Sequence, residues 1–233
     1  MIFTDCSPRG CRIKLAQSSS SLSNVLSDIG RVEEALDLVR QSELLFRRLA
    51  QQRPEVFLSH LAGCLVNLGN RLAEAERPEE ALRISREALD LYRQLVEPRP
   101  EVFLPDLAKA AMNLGNRLRD GGQIEEALEI SREAVEIYRK LAEQSPAAFL
   151  PDLARSLNNL GLQLGDDGRT GESLPCFEEA IRILGPFLLR RRAAFLPWMK
   201  TMVQNYRECL QELGRAPDED LLRPLLASLQ DEV

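Results

Sequence analysis

The chain has 233 residues, with 36 acidic against 30 basic side chains, a formal net charge of −6, a single histidine and five cysteines. The acidic balance, with basic residues spread along the chain, removes the field that draws proteins to phosphate backbones, so nucleic acid is not an expected partner. An odd cysteine count without any Cys-x-x-Cys pair argues against a disulfide framework, and a solitary histidine argues against the usual catalytic and metal-ligand constellations.

Residues 1–12, MIFTDCSPRGCR, carry neither a signal-peptide stretch nor the start of a membrane span. They are expected to be a frayed N-terminal segment of a soluble, cytoplasmic protein. Beyond them the chain repeats itself every 46 residues, with Pro8, Pro54, Pro100, Pro146 and Arg192 at equivalent points. The stretch PEVFLSHLAGCLVNLGNRL from Pro54 returns from Pro100 as PEVFLPDLAKAAMNLGNRL without a gap. Residues 13–233 therefore read as a single array, with copies at about 13–53, 54–99, 100–145, 146–191 and a degenerate capping copy at 192–233. Units of this length cannot bury an apolar face alone and must stack on their neighbours.

Copy two shows the pattern most clearly. Leu61, Leu65, Leu68 and Leu72 fall at helical spacing, with Ala62 and Gly69 small enough for a close-packed partner. After a turn around Ala75 to Pro78, a second stripe runs through Ala81, Ile84, Ala88, Leu91, Tyr92 and Leu95, opened by Glu79 and Glu80 where negative charge suits a helix N-terminus. In copies three and four the turns are Asp120-Gly121-Gly122-Gln123 and Asp166-Asp167-Gly168-Arg169, whose glycines supply the left-handed conformation that ends a helix. Short turns make the two helices antiparallel, so the fold class is all-α, a solenoid of helical hairpins.

The joints between copies carry Pro100 and Pro146, then the pairs Phe57-Leu58, Phe103-Leu104, Phe149-Leu150 and Phe195-Leu196 as an apolar wedge ahead of each main first helix. A second proline at Pro105, Pro151 and Pro197, where copy two has Ser59, predicts a kink or break in copies three and four and a straighter helix in copy two. Cys64 and Cys176 stand at apolar or small positions of other copies and read as core fillers. Copy four runs Leu184-Gly185-Pro186, which predicts an early end or bend of its second helix. Copy five keeps a first helix over 193–213, followed by a divergent capping helix over 218–230.

The segments Asn67-Leu68-Gly69-Asn70, Asn113-Leu114-Gly115-Asn116 and Asn159-Leu160-Gly161 are each followed, twelve residues after the glycine, by Ala81, Ala127 or Ser173, and seven later by Ala88, Ala134 or Ala180. This pattern resembles the tetratricopeptide repeat in its longer forms, such as those of kinesin light chains. The resemblance implies a right-handed superhelix whose inner wall is built mainly from first helices, and a role in binding peptides or partner proteins. One departure is that the early aromatic of the first helix is replaced by Leu65, Ala111 and Leu157, so aliphatics must supply the packing.

One asparagine recurs at a single register of the first helix: Asn67, Asn113, Asn159 and Asn205. Asparagine is a mediocre helix former, so its recurrence requires a hydrogen-bonding explanation, and a carboxamide that both donates and accepts matches an extended peptide backbone. In related arrays asparagines at this point form a ladder along a bound peptide. The other reading has the same side chains bridging neighbouring first helices. Asn70 and Asn116 lie on the same face and are candidates for ligand choice, while Lys109 and Arg155 would receive an acidic group. Trp198, the only tryptophan, either anchors a partner or a second copy of the chain, together with the C-terminal cap, or covers the last core.

No catalytic residue, metal ligand or cofactor site is predicted, because His60 sits where the next two copies carry aspartate and no nucleophile–base pair or glycine-rich phosphate loop appears. The leading functional reading is a non-catalytic protein-interaction scaffold with a groove for an extended peptide or a helix. The alternative is a structural or regulatory segment of a larger protein, sensing, inhibiting or self-assembling through its ends.

Overall fold

Proline at the first helical position and a left-handed residue in the turn set the element boundaries. Both follow from the chain's chemistry: proline lacks only an N–H that the first turn leaves unpaired anyway, and the turn needs a positive φ. In the computed structural model, which describes residues 16, 18, 19, 22–225 and 229, the chain divides into two units, one up to Gly121 and the other from Gly122. The predicted frayed segment 1–12 lies outside the described residues.

The first unit holds α1, described over residues 22–28, then α2 (Val32–Gln52), α3 (Pro54–Glu74), α4 (Pro78–Val96) and α5 (Pro100–Asp120). Consecutive helices from α2 to α5 pack on one another, and α3 also touches α5. The second unit holds α6 (Ile124–Gln144), α7 (Pro146–Asp166), α8 (Thr170–Arg190), α9 (Arg192–Leu213) and the short α10 (Glu219–Leu222), which runs into a 3-10 turn at Arg223–Leu225. Here α6 to α9 pack in sequence and α7 touches α9. The fold is an all-α array of antiparallel helical hairpins, as the periodicity predicts.

In the hairpins of copies two and four the close approach depends on glycine. A Cβ added to Gly69 would lie 2.8 Å from the Ser85 hydroxyl, and one added to Gly161 would lie 2.7 Å from the Phe177 ring. The four turns that close the hairpins put Gly30, Glu76, Gly122 and Gly168, all at one register, at φ between 55° and 80°. Copy two alone uses a residue with a side chain there.

The expected break at Pro105 and Pro151 is absent: α5 and α7 each run 21 residues through their inner proline, the same length as α3 through Ser59. Proline's φ is already helical, and the carbonyl that loses its partner belongs to Glu101 or Ala147, exposed first-turn residues that water can satisfy. The predicted apolar wedge is therefore the first turn of the same helix and not a separate element. The expected early end at Gly185-Pro186 is also absent. Helix α8 continues to Arg190, held by fully buried Leu184 and Leu188, and the carbonyl facing Pro186 belongs to exposed Arg182.

Gly185 instead admits the C-terminal cap, since its missing Cβ would stand 3.3 Å from Leu225. The cap buries Leu222 and Leu225 against α8. It is opened by Asp218, whose carboxylate accepts from the backbone N–H groups of Asp220 and Leu221, and whose own N–H donates to the Tyr206 hydroxyl at 3.0 Å. The predicted capping helix over 218–230 is thus one helical turn, a 3-10 turn and a helical residue 229, with 226–228 and 230 outside the described residues.

Candidate functional site

The first helices of each unit meet at a joint, and the two joints differ. In the first unit, α3 and α5 flank a pocket of about 290 Å³ lined by Phe46, His60, Asn67, Tyr92, Asp106 and Lys109 among others. Tyr92 is buried to 5% exposure, and the Cβ position of Gly63 lies 3.4 Å from its hydroxyl, so a larger residue there would crowd the phenol. That hydroxyl and the half-buried Asn67 carboxamide line the pocket. Burial, with the nearby Asp106 charge adding to it, pushes the Tyr92 phenol up, so it stays a neutral donor. Partial burial also raises the Asp106 carboxyl, against the opposing pull of Lys109 one turn on. One wall is aromatic: His60 stacks on Phe46 with centroids 5.4 Å apart and contacts the Val56 carbonyl through Nδ1 at 3.2 Å.

In the second unit the corresponding joint between α7 and α9 is closed by its own side chains. Asn205 Nδ2 donates to Asn158 Oδ1 at 2.9 Å, so this asparagine bridges neighbouring first helices. The Arg155 guanidinium lies 4.6 Å from the centroid of Trp198 and reaches Asp152 at 3.4 Å. Trp198 is half-buried, with Phe195 and Phe187 following edge to face at 5.7 Å each. Asn159 is half-buried on α7.

The predicted residues therefore separate. Asn67 and Lys109 come together in the open pocket, while Asn205 and Arg155 are engaged by Asn158 and Trp198. Asn70 and Asn116 are half-buried on α3 and α5. Asn113 is half-buried with its Nδ2 out of water and unpartnered. The reason is readable in the repeat: Asn113 stands at the register of Asn205, but the position that supplies Asn158 in the second unit is Val66 in the first.

Sequence reasoning missed Tyr92, His60 and Asp106 as pocket residues, because Tyr92 lies on the apolar stripe and His60 and Asp106 share one variable register. It also assigned the carboxylates to capping at helix starts and turns. Glu80 does lie in a first turn, yet it also takes Arg40 from the preceding second helix at 2.9 Å, Glu87 takes Arg47 at 2.6 Å, and Glu179 takes Arg139 at 2.8 Å. The signal was present as arginine at 47, 93 and 139 with glutamate forty residues on at 87, 133 and 179.

Among the described residues the thiols Cys64, Cys176 and Cys209 do not form a reactive centre. Burial pushes Cys64 up to about 12 and Cys176 up to about 11, and Cys209 is also raised despite its contact with the Ser173 hydroxyl at 3.3 Å. At these values almost no thiolate is present near neutrality. Cys64 is a buried core residue as predicted, whereas Cys176 is half-buried. Among the described residues no group of His, Cys, Asp and Glu is placed to hold a metal ion, and no helix is long and apolar enough to cross a membrane.

Comparison with known proteins matches the tetratricopeptide repeat family over residues 61–100, 107–146 and 153–184. No curated protein matches. Among solved structures, a putative kinesin light chain with nearly identical TPR-like repeats from Podosopora anserina is similar at 17% identity and a TM-score of 0.67, covering 91% of this chain and 93% of that one. Its Q17M variant is similar at 16% identity and a TM-score of 0.65. The apo form of RapI is similar at 16% identity and a TM-score of 0.61, covering 86% of this chain and 70% of that one. At these identities the likeness speaks for the fold.

Proposed function

Because the chain belongs to the tetratricopeptide-repeat family, whose repeats generally mediate protein–protein interaction, we propose that it is a non-catalytic cytoplasmic scaffold that holds an extended peptide or a helix of a partner protein against its first helices. The observation that carries this reading is the pocket between α3 and α5, where the Tyr92 hydroxyl, the Asn67 carboxamide, Asp106 and Lys109 line one concave surface.

The pocket's chemistry suits a peptide. The Asn67 carboxamide can donate and accept at once, as the alternating groups of an extended backbone require. Lys109 and Asp106, side by side at the rim, offer charges of both signs to flanking side chains. Asn70, Asn113 and Asn116 extend the polar face along α3 and α5.

The test is affinity capture on the immobilised chain, comparing wild type with an Asn67→Ala/Lys109→Ala variant of unchanged melting temperature. The reading expects a partner retained by wild type and lost by the variant. Equal retention by both would remove the pocket from the binding surface.

A further inference from the structure

The joint between α7 and α9 carries a cation of the chain's own. Arg155 extends from α7 and places its guanidinium 4.6 Å from the centroid of Trp198 on α9, while reaching the Asp152 carboxylate at 3.4 Å. A guanidinium is thus held between a ring and a carboxylate, the two partners its flat, delocalised charge suits best.

At the joint between α3 and α5 the three registers read differently. His60 stands for Asp152, Asp106 stands for Trp198, and Gly63 stands for Arg155. The ring and the carboxylate have exchanged helices, and the cation between them is reduced to a residue without a side chain. All three line the pocket of about 290 Å³. The nearest atom to a Cβ built on Gly63 is the Tyr92 hydroxyl oxygen, which with the Asn67 carbonyl oxygen adds acceptors to the lining. Lys109, the pocket's own cation, does not fully compensate Asp106: burial raises that carboxyl against the pull of Lys109, so the carboxylate remains short of positive charge. The net charge of −6 on the chain also favours the approach of a basic segment.

From this exchange we infer that the α3–α5 pocket takes an arginine side chain of the partner peptide, its guanidinium docked on Asp106 at the place that Arg155 fills in the other joint. The inference rests on the reading of this pocket as a peptide site and adds the residue it selects. Arginine fits better than lysine, because its planar fork can give two N–H groups to the carboxylate and still lie flat against a ring. Lys109, one turn beyond Asp106, is left for an acidic group beside that arginine.

The experiment selects binders from a displayed library of random short peptides on the full chain, then measures the tightest one by calorimetry in three synthetic forms, with arginine, lysine or the neutral isostere citrulline at the selected position. Arginine is expected to dominate one position of the selected peptides. Citrulline there should weaken binding at least about tenfold, and lysine several-fold. On Asp106→Asn of unchanged melting temperature, the arginine and citrulline forms should bind within about twofold of one another, which assigns the loss to this carboxylate. Asp106→Ala serves as the second variant if the first melts earlier. Peptides that Asn67→Ala weakens but that show no arginine preference, or that lose as much to citrulline on Asp106→Asn as on wild type, would overturn the inference and leave the peptide site standing. So would selection of an acidic residue alone, which assigns the pocket to a carboxylate. Peptides indifferent to Asn67→Ala, or no selected peptide at all, would overturn both readings.

Discussion

The two joints between first helices are built from the same registers and behave oppositely. Between α7 and α9, Asn205 finds Asn158 and Arg155 finds Trp198, so the polar groups satisfy one another. Between α3 and α5 the equivalents are Asn113 with Val66, and Gly63 with Asp106; Asn113 Nδ2 stays unpaired and a pocket opens beside Asn67. One repeat thus yields a closed brace or an open pocket according to a few substitutions, and a recurring residue has no single set of partners across the array.

The largest effect expected from breaking this comparison comes from the hairpin glycines. Gly161→Ala should cost about 2–3 kcal/mol, because the new methyl meets the rigid Phe177 ring at 2.7 Å, while Gly69→Ala should cost clearly less, because the Ser85 hydroxyl at 2.8 Å can rotate away. Chemical denaturation of the two variants measures the gap, and equal losses would show that the two hairpins are packed alike.

Next in size is the brace. Asn158→Val should cost about 1–2 kcal/mol by leaving the Asn205 amide unpaired, and the reciprocal Val66→Asn should be neutral or stabilising by about 0.5–1 kcal/mol by giving Asn113 a partner. Both are read from denaturation midpoints. A loss in both variants would detach the Asn113 orphan from the identity of residue 66.

Smaller again is the aromatic clamp: Arg155→Ala should cost about 0.5–1 kcal/mol, with a change in Trp198 fluorescence as the ring loses its cation. Unchanged emission would show that the stacked geometry is not populated in solution. The smallest expected effect is a gain. Glu76→Gly should raise stability by ~0.5 kcal/mol, since Glu76 alone among the hairpin turns holds a side-chain residue at φ 55° and glycine relieves that strain at some entropic cost. A thermal melt decides it, and a lowered midpoint would mean that Glu76 makes contacts outweighing the strain.

Most of the fold was legible because it rests on local rules. Leucine periodicity, proline at N1 and glycine at the left-handed turn position each act within one hairpin and repeat three or more times. The readings that failed were those that treated proline as a breaker wherever it stood. Pro105, Pro151 and Pro186 each face a carbonyl exposed to water, a fact of the folded helix and not of the local sequence. The ionic pairs at forty-residue separation needed the stacking of one second helix on the next before their arginines and glutamates could be matched.

The candidate site was half legible for a similar reason. The asparagine register announces a hydrogen-bonding column, but whether a neighbour pairs with a given amide depends on the residue one repeat earlier and one position before it, as Val66 and Asn158 show. Tyr92 was hidden in the apolar stripe, where only the proximity of Gly63 and the pocket beside it mark its hydroxyl as available.

The most direct test uses a partner captured by the wild-type chain, whose affinity is then measured by calorimetry for Asn67→Ala/Lys109→Ala and for Asn205→Ala. The account predicts that the first variant loses about tenfold or more in affinity at an unchanged melting temperature, while the second melts earlier and binds as wild type. Affinity lost at Asn205 and kept at Asn67 and Lys109 would contradict it.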